Sequence, residues 1–133
     1  MDKEISDAGE PTCLFCSLDE NTEIITETQL AYAIYDKFPV NPGHSLVIPK
    51  RHVKDYFELT PKEQNACWKL LNQLKGILDL KYGPDAYNIG INNLFAAGQT
   101  VPHVHIHLIP RYIGDIERPH GGVRGVIPEK KEY

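Results

Sequence analysis

The chain has 133 residues, 41% of them hydrophobic, and a formal net charge of −4. That length fits one domain with its own core. The acidic balance argues against a broad basic face for duplex nucleic acid. No apolar run approaches the roughly 20 residues that cross a bilayer, so no membrane partner is expected. The polar start, Met1-Asp2-Lys3-Glu4, lacks a secretory-signal pattern. Three cysteines make no even disulfide framework. A reducing cytoplasm is the expected setting, where paired cysteines more often hold metal than form a disulfide.

Residues 1–11 read as a flexible leader ending at Pro11. Cys13-Leu14-Phe15-Cys16 reads as a turn. Residues 22–28 and 30–35 read as two strands, the second apolar on both faces. Pro39, Pro42 and Gly43 break the chain into a loop before a third strand at 44–48. A short helix is expected near 53–58. The main helix is expected over about 60–82. Thr60-Pro61-Lys62-Glu63 spells a capping box with proline at the first helical position. Ala66, Cys67, Leu70, Leu71, Leu74, Ile77 and Leu78 follow at helical spacing, and Gly83-Pro84 ends the run. Strands are expected again at 87–92 and 103–109. Short links around a single helix predict an α+β fold, a five-stranded antiparallel sheet with one main helix. Lys50 and Arg51 read as solvated surface.

His103, His105 and His107 alternate in the last predicted strand. Alternate residues of a strand share a face, so three imidazoles line one side while Val104, Ile106 and Leu108 face apolar surroundings. Three readings compete. They are ordinary strand residues, a three-histidine metal site in a metal-dependent hydrolase, or a nucleophile with supporting imidazoles. No Asp or Glu lies within 92–110 to complete a metal site. Gly98-Gln99-Thr100 offers backbone and side-chain donors just before the histidines, which favours attack on phosphorus.

His103-Val104-His105-Ile106-His107-Leu108-Ile109 resembles the signature of the histidine triad (HIT) family of nucleotide hydrolases and transferases. Gly43-His44-Ser45-Leu46-Val47-Ile48-Pro49 is similar to that family's second recurrent segment. The resemblance implies a HIT-like domain over 12–115 and no organic cofactor. It implies catalytic roles for His105 as nucleophile, for His107 at the α-phosphate, and for His103 and Thr100. It implies substrate contacts at Asp36 for the ribose, at His44 beside the triad, and at Asn92, Gly98, Gln99 and Thr100 around the phosphates. Phe38 and Leu14 are looser candidates for the base.

A lone Cys-x-x-Cys leaves redox, buried-thiol and metal readings open. Some relatives in the family carry structural zinc, and the matching positions are Cys13, Cys16, His52 and His103. Two thiolates and two imidazoles suit tetrahedral Zn²⁺. Pro110-Arg111-Tyr112-Ile113-Gly114-Asp115 resembles the continuation found in the Fhit-like branch, which cleaves dinucleoside polyphosphates. Residues 116–133 form a Gly- and Arg-bearing tail, including Arg118, His120 and Arg124, expected as an active-site or dimer arm. The implied function is hydrolysis at the α-phosphate of a dinucleoside polyphosphate through a covalent nucleotidyl-histidine, releasing a nucleoside monophosphate, in a homodimer. A purine nucleoside phosphoramidase, a nucleotidyl transferase and a non-catalytic nucleotide-binding protein are the alternatives.

Overall fold

The computed structural model describes residues 12–133. The leader expected at 1–11 lies outside the described residues. Five strands, β1 (Ile24–Glu27), β2 (Ala31–Tyr35), β3 (Ser45–Pro49), β4 (Ala86–Gly90) and β5 (Ile106–Arg111), form one antiparallel sheet in the order β1-β2-β3-β5-β4. The single long helix, α1 (Pro61–Tyr82), lies between β3 and β4 in the chain. The short helix expected near 53–58 is one 3-10 turn, Tyr56–Glu58, capped by Asp55. Among the described residues, no helix is long and apolar enough to cross a membrane.

The start of α1 follows its sequence signal. Thr60 Oγ1 accepts from Glu63 N–H, and Glu63 Oε1 accepts from Thr60 N–H, so two orphan donors are satisfied at once. Arg51 corrects the surface reading given to it. Its guanidinium grips Glu63 with two bonds of 2.7 and 2.8 Å and ties the strand exit to the helix cap. That pairing holds the Glu63 carboxyl below its ordinary range. At the other end Gly83 adopts the left-handed conformation and closes on Asp79 C=O.

The sheet separates two environments. On one face Ala31, Ala33, Val47, Ile106 and Leu108 pack against Cys67, Leu70, Leu71, Leu74 and Leu78 of α1. On the other, Tyr32, Ile34, Leu46 and Ile48 are covered by Phe15 and Leu18 of the N-terminal turn. The small alanines let the helix approach the sheet closely, and the alternation along β2 explains why both faces read apolar.

β5 differs from expectation at its start. The paired strand begins at Ile106, so His103 and His105 precede the ladder. Val104 N–H bonds to Val53 C=O instead, and its side chain fills a small cluster with Val53 and Leu59. The side chains of His103, Val104 and His105 still alternate, His103 and His105 away from the Val53–Leu59 cluster that Val104 joins. β4 ends at Gly90, short of the predicted 92. Residues 116–133 form two 3-10 turns, Gly122–Val126 and Pro128–Lys130, the first beside β4.

Candidate active site

The site begins with the antiparallel pairing of β3 and β5. Leu46 lies opposite His107, which brings His44, one residue before β3, beside it. Gly43 makes that entry possible. Its φ of +90° suits glycine, and a Cβ there would sit 3.0 Å from the Tyr82 ring and 3.1 Å from Pro110. The loop before it is anchored by Asn41, whose Nδ2 donates to Pro110 C=O and to Asp115. Asp115 is in turn gripped by the Arg111 guanidinium, which holds its carboxyl far below the usual range. The Pro-Arg-x-x-Gly-Asp segment thus braces the loop that delivers His44.

The hydrogen bonds assign the protons. His105 Nδ1 lies 2.8 Å from the carbonyl oxygen of His103. A carbonyl only accepts, so Nδ1 carries the proton and Nε2 keeps a bare lone pair. Val40 N–H donates to His44 Nδ1 at 3.0 Å. Neutral His44 therefore bears its proton on Nε2, 3.0 Å from His107 Nδ1 and 3.3 Å from Asp36 Oδ2. His107 Nδ1 accepts, so its proton sits on Nε2. His103 Nε2 donates to Pro49 C=O at 2.7 Å, which leaves its Nδ1 bare. Burial lowers the pKa of the three rings that line the cleft: His44, His105 and, down to about 4, His107. They stand neutral near pH 7.

Two groups have metal-ligand composition. Asp36, His44 and His107 lie close together, yet the atom His44 turns toward the others is its protonated nitrogen. A metal needs a bare one, so this group is a hydrogen-bond chain. Cys13, Cys16, His52 and His103 pass the same test. His103 Nδ1 is bare and lies 3.5 Å from both Cys13 Sγ and Cys16 Sγ. It is 3.2 Å from His52 Nδ1, which is itself 3.1 Å from Cys16 Sγ. Tetrahedral zinc with sulfur at about 2.3 Å and nitrogen at about 2.0 Å spaces its ligand atoms about 3.3–3.8 Å apart. The Pro49 carbonyl supplies the outer hydrogen bond that fixes the His103 ring. The donor set fits a closed four-ligand site, and Phe15 N–H also points to Cys13 Sγ at 3.4 Å.

A cleft of about 800 Å³ opens over His105 and His107. Asp36, His44, Asn92 and Thr100 line it, with Leu14 and Phe38 exposed at its rim. Asp36 Oδ1 accepts from Phe38 N–H and so sets that rim. His103 is fully buried and faces the cysteines. Gly98 and Gln99 precede Thr100 in the chain and are not among the residues lining the cleft. The Gln99 amide accepts from Leu94 N–H and donates to Lys54 and Val101 C=O, so it shapes the loop that carries Thr100. Sequence reasoning missed Phe15, whose ring packs against His105, and Asn93, which clamps Asp55 and Tyr56 N–H. An aromatic between two cysteines was the available signal for Phe15. Asn93 had none apart from its neighbour.

A family model described as HIT domain matches residues 18–114. The chain belongs to the HIT family. Over 101 residues it is 37% identical to the bis(5'-nucleosyl)-tetraphosphatase (asymmetrical) of Schizosaccharomyces pombe, covering 76% of this chain and 56% of that protein. It therefore spans little more than half of that relative's length. Over 100 residues it is 38% identical to the bis(5'-adenosyl)-triphosphatase of Dictyostelium discoideum, covering 75% of this chain and 67% of the other. The crystal structure of a zinc-bound histidine triad family protein from Mycobacterium smegmatis superposes with a TM-score of 0.72 at 33% identity, covering 78% of each chain. The five-stranded antiparallel sheet with one main helix is the HIT fold.

The neutral rings set an acid limit on stability. An unfolded histidine takes up its proton near 6.5, whereas folded His107 does so only near 4. The unfolded chain thus binds more protons between these values, and stability present above pH 6.5 declines as pH falls. Denaturant titrations at pH 7.5, 6.5 and 5.5 should show a falling midpoint. His107→Gln should flatten that slope; an unchanged slope would contradict the neutral assignment.

Proposed function

We propose that this HIT protein is a hydrolase of dinucleoside polyphosphates, with His105 as the nucleophile. One observation carries the reading: His105 donates from Nδ1 to its own chain, so Nε2 is bare at the cleft floor. Neutral imidazole meets no charge repulsion from a phosphate diester. Nε2 attacks the α-phosphorus, a P–N bond forms, and the bridging P–O bond breaks. The departing nucleoside polyphosphate leaves as a phosphate anion with the electron pair of the broken P–O bond. Positive charge on the ring is stabilised through Nδ1–H by the His103 carbonyl. Water then attacks the same phosphorus, the P–N bond breaks, and nucleoside monophosphate leaves with His105 restored.

The neighbours have roles that fit this path. His107, its Nδ1 occupied by His44, has Nε2–H to offer a phosphate oxygen. Asp36 keeps lone pairs for ribose hydroxyls, and Thr100 and Asn92 lie on the wall where phosphates would pass. The names of the two relatives support a dinucleoside polyphosphate over a phosphoramidate or a transfer acceptor. A metal-dependent hydrolase is disfavoured because His103 turns away from the cleft and His44 presents a proton.

We also infer that Cys13, Cys16, His52 and His103 hold a structural Zn²⁺. When bound, the ion would fix the thiolates and cross-link the N-terminal turn to the segment before β5. Catalysis would not need it as a Lewis acid, since its four positions are filled by protein. A homodimer is supported by β4, which is an edge strand with Ile89 exposed. A second copy pairing there would satisfy that edge. Residues 116–133 flank the same edge and read as a dimer arm.

His105→Asn should reduce turnover by more than about 10³-fold while nucleotide affinity stays within a few fold. Acid-quenched wild type should yield a peptide bearing one nucleotidyl group on His105; near-normal rates in the variant would overturn the mechanism. Cys13→Ser should lose bound zinc by elemental analysis and cost about 2–4 kcal/mol of stability. Wild type purified in zinc-supplemented medium without the metal would refute that site. Sedimentation should give twice the chain mass, and Ile89→Lys should shift it to the monomer. A wild-type monomer at high concentration would end the dimer reading.

A further inference from the structure

We propose that Phe15 is a positioning residue for His105, tying the orientation of the reacting imidazole to the Cys13–Cys16–His52–His103 cluster. The inference rests on the reading of His105 as nucleophile. His105 precedes the β5 ladder, and one hydrogen bond from Nδ1 fixes a single point of its ring. The ring can still tilt about that bond, and attack needs the Nε2 lone pair in line with phosphorus. Packing must supply the second point of restraint.

Phe15 supplies it. Its ring meets the His105 ring edge-on, with centroids 5.1 Å apart and planes at 69°. It also meets His103 edge-on at 5.9 Å and 83°. Edge-to-face contacts of this kind have a preferred angle, so they orient as well as bury. His107 also packs on His105, with centroids 5.1 Å apart and planes at 63°, so two rings contact the nucleophile.

Phe15 is itself held by its main chain. Its N–H points to Cys13 Sγ, and its C=O accepts from the Tyr32 hydroxyl. The turn is closed by Cys16 N–H and Ser17 N–H, both donating to Cys13 C=O. Tyr32 belongs to β2, so the ring is referenced to the sheet through one bond and to the Cys13–Cys16–His52–His103 cluster through its flanking cysteines. Disorder in the cluster reaches the nucleophile twice, through the His103 carbonyl and through this ring. Phe15 also lines the cleft. A plain substrate contact there would act on KM, whereas positioning acts on kcat.

The test uses the zinc-loaded full chain with Phe15→Leu, which keeps apolar volume but removes the ring, and Tyr32→Phe, which keeps the ring but removes its anchor. Steady-state rates are measured with a dinucleoside polyphosphate, and the His105 ring nitrogens are read by proton–nitrogen NMR at fixed pH. Phe15→Leu should lower kcat about tenfold with KM within about twofold, and should turn the fixed Nδ1–H pattern of His105 into an averaged one. Tyr32→Phe should move both readouts the same way by less. Wild type stripped of metal by chelation should reproduce the averaged NMR pattern. A raised KM with unchanged kcat, or an unaltered His105 pattern in Phe15→Leu, would overturn the proposal. If wild type forms no nucleotidyl-His105 yet the variant still averages the ring, the nucleophile assignment falls and the positioning role stands.

Discussion

The hydrogen bond from His105 Nδ1 to the carbonyl of His103 is where backbone geometry and chemistry meet. It closes over two residues and needs Val104, between them, to turn its side chain away. That demand is met because Val104 is drawn to the opposite side by Val53 and Leu59. Alternating side chains thus do more than share a face. One residue's side chain enters the cleft while the preceding imidazole, on the same side, reaches the cysteines. The carbonyl of the second orients the ring of the first.

Backbone carbonyls and amides fix three imidazoles at the site, and a fourth depends on one of them. Pro49 C=O sets His103, His103 C=O sets His105, and Val40 N–H sets His44; His107 then takes its state from His44. Main-chain groups do not titrate, so these ring orientations do not change with pH, while the Asp36 carboxylate beside His44 works against burial and raises the rings' basicity. Burial does the rest by keeping the rings neutral. Asp36 sits at the end of this chain, on the wall of the cleft.

Much of the fold was legible because local signals were strong and agreed with one another. Thr60 to Glu63 and Gly83 mark the helix ends, and the apolar spacing between them marks its buried stripe. Apolar runs bounded by Pro and Gly marked β2 and β3, short links around one helix pointed to an antiparallel sheet, and the triad pointed to the cleft. The boundaries that moved did so through tertiary bonds. Val104 N–H chose Val53 over a strand partner, which shortened β5 at its start. Arg51 looked like surface because its partner, Glu63, lies twelve residues on, across a turn whose direction is set only on folding. Gln99 carries donors suited to phosphate, but its amide bonds to Leu94 N–H and Val101 C=O of its own loop and to Lys54 C=O across from it. Phe15 was hidden among residues notable for their sulfur. Its value comes from where the turn docks, which no spacing within the turn encodes.

The fork from Arg51 to Glu63 also joins two regions otherwise far apart in the chain. Arg51 is the neighbour of His52, and Glu63 closes the first turn of α1. Motion of the strand exit at residues 50–55 is therefore transmitted to the helix start before its middle, which is held by Leu70 and Leu74 in the core. Amide protons of the first helical turn should exchange with solvent in step with that exit segment, as one small cooperative unit distinct from global opening.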